Sequence, residues 1–176
     1  MNYADIKKID VANGEGVRVS LFVSGCTHHC KECFNKEAWD FHYGNLFTQK
    51  EIDRILEYLK PNYIAGLSLL GGEPMEPVNQ EGILPLLRVV KQTYPEKNIW
   101  CYTGYLFDKD VLDKMCKESE VTKEIVSYLD IVVDGEFMID RKNLKINFRG
   151  SDNQRIIDVK KTLDAGEIVH WEREIQ

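Results

Sequence analysis

No apolar run in this chain approaches the ~18 residues a membrane-spanning helix needs. Met1 to Asp10 holds lysines and no apolar stretch, so no secretory signal is expected. A basic excess is absent too. The net charge is −6 and the pI about 5.3, which speaks against DNA or RNA as a partner. There is no internal repeat and no low-complexity tract. Cysteines number only five, three of them between positions 26 and 33, with Cys101 and Cys116 standing alone. A secreted disulfide framework spaces its cysteines more evenly and in pairs. A cytoplasmic, reducing setting is therefore expected, in which clustered thiols point to metal.

What is present fits one globular domain over residues 1–176, with 43% hydrophobic and 30% charged residues. Val17 to Ser24 alternates and is rich in β-branched residues, which predicts a strand. Thr48 with Glu51 forms a capping box that opens a helix ending near Pro61, with Ile52, Ile55, Leu56 and Leu59 at helical spacing. Ile64 to Leu70 is a nearly all-apolar strand that Gly71, Gly72, Glu73 and Pro74 end sharply. A helix over about Gln80 to Thr93, a strand over Asn98 to Thr103, helical segments over Asp108 to Leu129 and a strand over Asp130 to Asp134 follow. Beyond Gly135 the pattern weakens. Short strands are expected at Gln154–Val159 and Glu167–Trp171, around a turn at Ala165–Gly166. Strand–helix alternation implies an α/β fold of mostly parallel strands, whose chemistry gathers at the strands' C-terminal ends. The Cys-rich loop and the GGEP loop both lie at such ends.

The cysteines are spaced C-x3-C-x2-C, as Cys26, Cys30 and Cys33. Thiolates suit iron–sulfur clusters and zinc. Three on one loop would leave the fourth iron of a [4Fe–4S] cube open, since neither Cys101 nor Cys116 has ligand spacing around it. A zinc site closed by His28, His29 or a distant cysteine is the alternative, although zinc motifs usually carry a second C-x2–4-C pair. The bacterial ferredoxin spacing, C-x2-C-x2-C with a further Cys-Pro, is missing. His28 and His29 are candidates for ligating metal, for donating to cluster sulfides, or for facing solvent.

C-x3-C-x2-C after one strand with GGEP after the next resembles the radical-SAM superfamily. Asn13-Gly14-Glu15-Gly16-Val17-Arg18, Cys33-Phe34-Asn35, Tyr102-Thr103-Gly104-Tyr105, Val133-Asp134-Gly135 and Arg149-Gly-Ser-Asp-Asn-Gln-Arg155 narrow the resemblance. Together they are similar to the activating proteins of anaerobic (class III) ribonucleoside-triphosphate reductase, over about residues 3–160.

The resemblance implies an open, partial β/α barrel of mostly parallel strands. It implies a [4Fe–4S] cluster on Cys26, Cys30 and Cys33, with S-adenosylmethionine (SAM) on the open iron. One electron from the cluster, supplied by a donor such as flavodoxin, would cleave SAM to a 5′-deoxyadenosyl radical, which generates a glycyl radical on the large reductase chain. Gly71, Gly72, Glu73 and Pro74 are then expected to receive the methionine end through close backbone approach and free peptide groups. Many superfamily members carry an aromatic residue just before the third cysteine. Here Glu32 stands there, so adenine contacts are expected from backbone at Glu32–Phe34 or from Tyr102, and ribose contacts from Asp134 and Asn153. Activation of another glycyl-radical enzyme, such as a pyruvate formate-lyase, and a non-catalytic zinc or iron–sulfur module are the other readings. From Arg141 to Lys161 seven residues are basic and two acidic, a local reversal of the chain's charge and a candidate docking stretch for the reductase or flavodoxin.

Overall fold

The computed structural model describes residues 1–173. Seven strands form one open sheet: β1 (Asn2–Asp10), β2 (Val17–Val23), β3 (Asn45–Leu46), β4 (Ile64–Gly71), β5 (Asn98–Thr103), β6 (Ile131–Asp134) and β7 (Arg155–Asp158). Their order is β3-β1-β2-β4-β5-β6-β7. The central four, β2, β4, β5 and β6, are parallel, as the alternation requires. The flanks are antiparallel: β1 runs against β2 and β3, and β7 against β6.

The helices are α1 (Gln49–Leu59), α2 (Pro77–Thr93), a π-helical stretch Phe107–Met115 running into the turn α3 (Cys116–Glu118), then α4 (Glu120–Tyr128) and α5 (Val159–Ala165). The expected capping box opens α1, with Thr48 N–H donating to Glu51 Oε2 at 2.7 Å. Ile52, Ile55 and Leu59 of α1 are buried. No helix among the described residues is long and apolar enough to cross a membrane.

Two expectations need correction. The N-terminal strand β1 was not foreseen, because register shifts at Tyr3/Asp5 and Lys7/Asp10 break the two-residue alternation that marks a strand. The expected strand at Glu167–Trp171 is only a single bridge, Ile157 to His170, and the helix α5 precedes it. Asp158 caps α5 by accepting from Lys161 N–H, and Gly166 ends it at φ +72°.

Side chains alternate across each strand, so the sheet has two unlike faces. Val19, Leu21, Val23, Leu67, Leu69, Ile99, Cys101 and Val132 face the helices and form the main core with Ile55, Leu86, Leu87 and Val90. The other face carries polar groups on β2 and β4, namely Arg18, Ser20 and Ser68, and a small apolar cluster of Trp100, Ile131 and Val133 packed against Phe148 and Trp171.

Arg18 is fully buried on that second face. It donates to Ser68 Oγ at 2.7 Å and to the carbonyls of Leu67 (2.9 Å), Glu15 (3.0 Å) and Asn98 (3.2 Å). Burial pulls its pKa down to about 10, which still leaves it charged at neutral pH. Ser68 Oγ in turn donates to the carbonyl of Asn13, and Asp10 holds Ala12 N–H at 2.9 Å and Asn13 Nδ2 at 2.8 Å. This buried network sets the 11–16 loop, with Ala12 and Asn13, against the wall of the cavity described next.

Candidate functional site

The cysteine loop springs from the end of β2. Gly25 at φ +100° turns the chain, and a Cβ there would run into the Phe41 ring. Gly25 N–H donates to Ala38 carbonyl at 2.7 Å, Cys26 N–H to Trp39 carbonyl at 3.3 Å and Cys33 N–H to Cys30 carbonyl at 3.1 Å. Thr27 donates through its backbone N–H and its hydroxyl to Glu76 Oε1. His29 and Glu32 adopt left-handed φ values of +50° and +57°, costly for residues with a Cβ and typical of functional loops. Burial pushes the Cys26 thiol up to about 11, against the backbone N–H groups of His28 and His29, which favour its thiolate. Burial also raises the Cys30 thiol, with Glu136 adding to it and Phe137 N–H opposing.

All three thiols line one cavity of about 620 Å³. Around it stand Gly71, Gly72 and Glu73 after β4, Tyr102 to Gly104 at the end of β5, and Gly135 and Glu136 after β6. Arg149, Gly150 and Gln154 close one side. The C-terminal ends of all four parallel strands thus share a single mouth. Cys101 lies in the helix-side core, the partly buried Cys116 packs against it, and neither takes part in the lining.

The predicted residues divide. Cys26, Cys30, Cys33, Phe34, Gly71, Gly72, Glu73 and Tyr102 reach the cavity, whereas Glu32, Pro74, Asp134 and Asn153 do not line it. Asp134 follows Val133 on a strand; Val133 faces the cavity, so Asp134 points the other way. Its carboxylate is fully buried, accepting from Phe107 N–H at 2.8 Å and from Arg155, which also donates to Asp108 at 3.0 Å. Asn153 donates to the carbonyl of Glu136 at 2.8 Å and braces that loop. Glu32 is exposed, and Pro74 is buried beneath the loop.

The GGEP backbone differs from expectation as well. Gly72 N–H donates to Val23 carbonyl and Glu73 N–H to Gly25 carbonyl, each at 2.8 Å, so these donors hold the cysteine loop rather than a ligand. Glu73, 1% exposed, is a hub. Its Oε1 accepts from His28 Nε2 (2.7 Å), Thr103 Oγ1 (2.9 Å) and Gly104 N–H (2.7 Å), and its Oε2 from Met75 N–H (2.8 Å). Of the two histidines, His29 is exposed and stacks on Trp39 at 4.3 Å, while His28 turns inward.

Sequence reasoning missed several groups at the site. Gln154 accepts from Gly150 N–H at 2.9 Å and donates to Gly135 carbonyl at 2.9 Å, tying two lining loops together. Glu136, Phe137, Leu144 and Phe148 also line the cavity, and only the folded chain brings them there.

Three buried polar atoms on lining residues have no partner among the described residues: the Tyr102 hydroxyl, Arg149 Nε and Trp39 Nε1. Buried polar atoms are nearly always satisfied, so these mark the wall of a site made for a polar ligand. The thiols suit an iron–sulfur cluster, which presents a separate iron to each cysteine. Among the described residues no three His, Cys, Asp or Glu side chains gather as ligands for one metal ion.

The family described as a 4Fe-4S single cluster domain matches residues 12–157. The anaerobic ribonucleoside-triphosphate reductase-activating protein of Haemophilus influenzae is 42% identical over 158 residues, 89% of this chain and 97% of its own. The protein of that name from Enterobacteria phage T4 is 43% identical, over 89% of this chain and 93% of its own. That of Escherichia coli (strain K12) is 38% identical, over 88% and 96%. Carrying a 4Fe-4S single cluster domain and matched by these relatives along most of its length, the chain belongs to the family of anaerobic ribonucleoside-triphosphate reductase-activating proteins.

Proposed function

We propose that this chain is a radical-SAM activase that installs the glycyl radical on an anaerobic ribonucleoside-triphosphate reductase. The observation that carries the reading is the shared cavity. Three thiols from one loop and the backbone after β4 meet there, while Cys101 is buried in the helix-side core and Cys116 packs against it, both away from the cavity. Cys26, Cys30 and Cys33 would hold a [4Fe–4S] cluster with one iron free of protein ligands. When bound and reduced, that cluster supplies the electron that breaks the sulfonium C–S bond of SAM, giving methionine and a 5′-deoxyadenosyl radical able to take a hydrogen atom from a glycine Cα.

The chain's own residues bind, orient and shield. Tyr102, Arg149 and Trp39 offer unpartnered polar atoms to the cofactor, and Phe34 and Phe137, 4.8 Å apart, offer apolar rings. The open sheet, whose central four strands are parallel and whose face away from the helices carries the buried polar groups Arg18, Ser20 and Ser68, supports a partial β/α barrel. Free thiols throughout suit a reducing cytoplasm, and a flavodoxin-like protein is the proposed electron donor. Anaerobic reconstitution with iron and sulfide, reduction with dithionite and chromatography for 5′-deoxyadenosine test the reading. Turnover of SAM is expected; a reconstituted protein that forms none would leave a binding module.

A further inference from the structure

One side chain of the cysteine loop touches the ends of the other three parallel strands. His28 Nε2 lies 2.7 Å from Glu73 Oε1, after β4, and Nδ1 lies 3.0 Å from Glu136 Oε1, after β6. Each ring nitrogen thus lies within hydrogen-bond reach of a carboxylate oxygen. At the end of β5, Thr103 and Gly104 share Glu73 Oε1 with His28. A Cβ on Gly104 would stand 2.7 Å from His28 Cδ2, and Tyr105 meets the ring edge-on at 4.4 Å.

We infer that His28 is a positioning residue, which through Glu73 seats the cysteine loop against the loop after β4 so that a cluster's open iron faces the ligand cavity. This rests on the proposed cluster reading. The two arms are unequal: the Glu73 side chain is 1% exposed and that of Glu136 is 55% exposed. A buried, charge-assisted hydrogen bond outweighs one that water competes for. Thr27, bonded to Glu76, holds the loop independently, so losing His28 leaves the chain folded and the thiols in place.

The test compares reconstituted parent with His28→Ala, His28→Gln and His28→Asn. The readouts are iron per chain, SAM affinity by calorimetry and the EPR spectrum of the reduced cluster with and without SAM. A Gln amide nitrogen reaches about as far as Nε2, and an Asn amide nitrogen only as far as Nδ1. His28→Ala is expected to keep its iron, to bind SAM about 10- to 100-fold more weakly and to lose the SAM-induced spectral change. His28→Gln restores both SAM readouts and His28→Asn does not. Parental SAM binding in His28→Ala, equal behaviour of Gln and Asn, or loss of iron that Gln fails to restore would each overturn the inference. A parent that takes up no iron, like a Cys30→Ala control, would overturn the cluster reading beneath it.

Discussion

A Cβ at Gly72 would stand 2.5 Å from the carbonyl oxygen of Gly25 and 2.8 Å from that of Ala38. Gly72 is therefore a packing glycine beneath the cysteine loop. Gly72→Val is expected to displace that loop and lower both iron uptake and SAM binding. Iron analysis and calorimetry on the reconstituted variant check this. A variant with parental iron that loses only SAM affinity would mean that Gly72 serves the ligand directly.

Arg18 sustains the base of the cavity from within the sheet. Arg18→Met strands the carbonyls of Leu67, Asn98 and Glu15 without their donor. The expected loss is about 3 kcal/mol, or about 6–12 °C in melting temperature for a domain of this size. Arg18→Lys keeps a charge but not the fork of donors, so it too should destabilise. Melting by circular dichroism measures both; an unchanged Arg18→Met would show the network to be dispensable.

Asp10 carries a pH signature. Burial raises its pKa, but hydrogen bonds from Asn13, Ser20 and Ala12 outweigh this and leave it below the ordinary 3.8. A depressed folded value means the stability contribution is present above 3.8 and lost as pH falls through the folded value. Asp10→Asn should thus be less stable than the parent near about pH 6, with the gap narrowing near about pH 3. Urea unfolding at both pH values reads it, and a gap that widens on acidification would reverse the assignment.

Docking is expected to depend on charge at the rim. Arg141, Lys142 and Lys145 are exposed, and Leu144 between them is 83% exposed beside the cavity mouth. Lys142 lies 5.1 Å from the centre of the Phe34 ring at the cavity and is better left intact. Arg141→Ala with Lys145→Ala should slow glycyl-radical formation on the reductase several-fold while cofactor cleavage alone stays parental. Added salt should slow the parent likewise, because exposed charges are screened over ~8–10 Å at physiological ionic strength. Equal rates in parent and variant, at low and high salt, would make this stretch plain solvated surface.

The parallel strands were legible because β2 is rich in β-branched residues and β4 is nearly all apolar, patterns that burial in a sheet explains. β1 hid behind its bulges. The run Ile156 and Ile157 was legible as the strand β7, but the helix α5 was missed although both caps, Asp158 and Gly166, stand in the sequence, because seven residues are too few to show a helical period. At the site, Cys26, Cys30 and Cys33 stood out by spacing alone, and the fold brings all three to one cavity. The role of Glu73 did not, since its partners Thr103 and Gly104 lie 30 and 31 residues away and meet it only in the folded sheet. For Asp134 the strand phase was available: once Val133 faces the cavity, its neighbour cannot.

The most direct test of the central claim is EPR of the partner. Reduced, reconstituted protein is mixed anaerobically with SAM and the large reductase chain, and the glycyl-radical signal is followed over time. The account predicts a radical that appears with the parent, with Cys101→Ala and with Cys116→Ala, and is absent with Cys26→Ala, Cys30→Ala or Cys33→Ala. No radical with a cluster-loaded parent, or an undiminished one from any of those three variants, would contradict it.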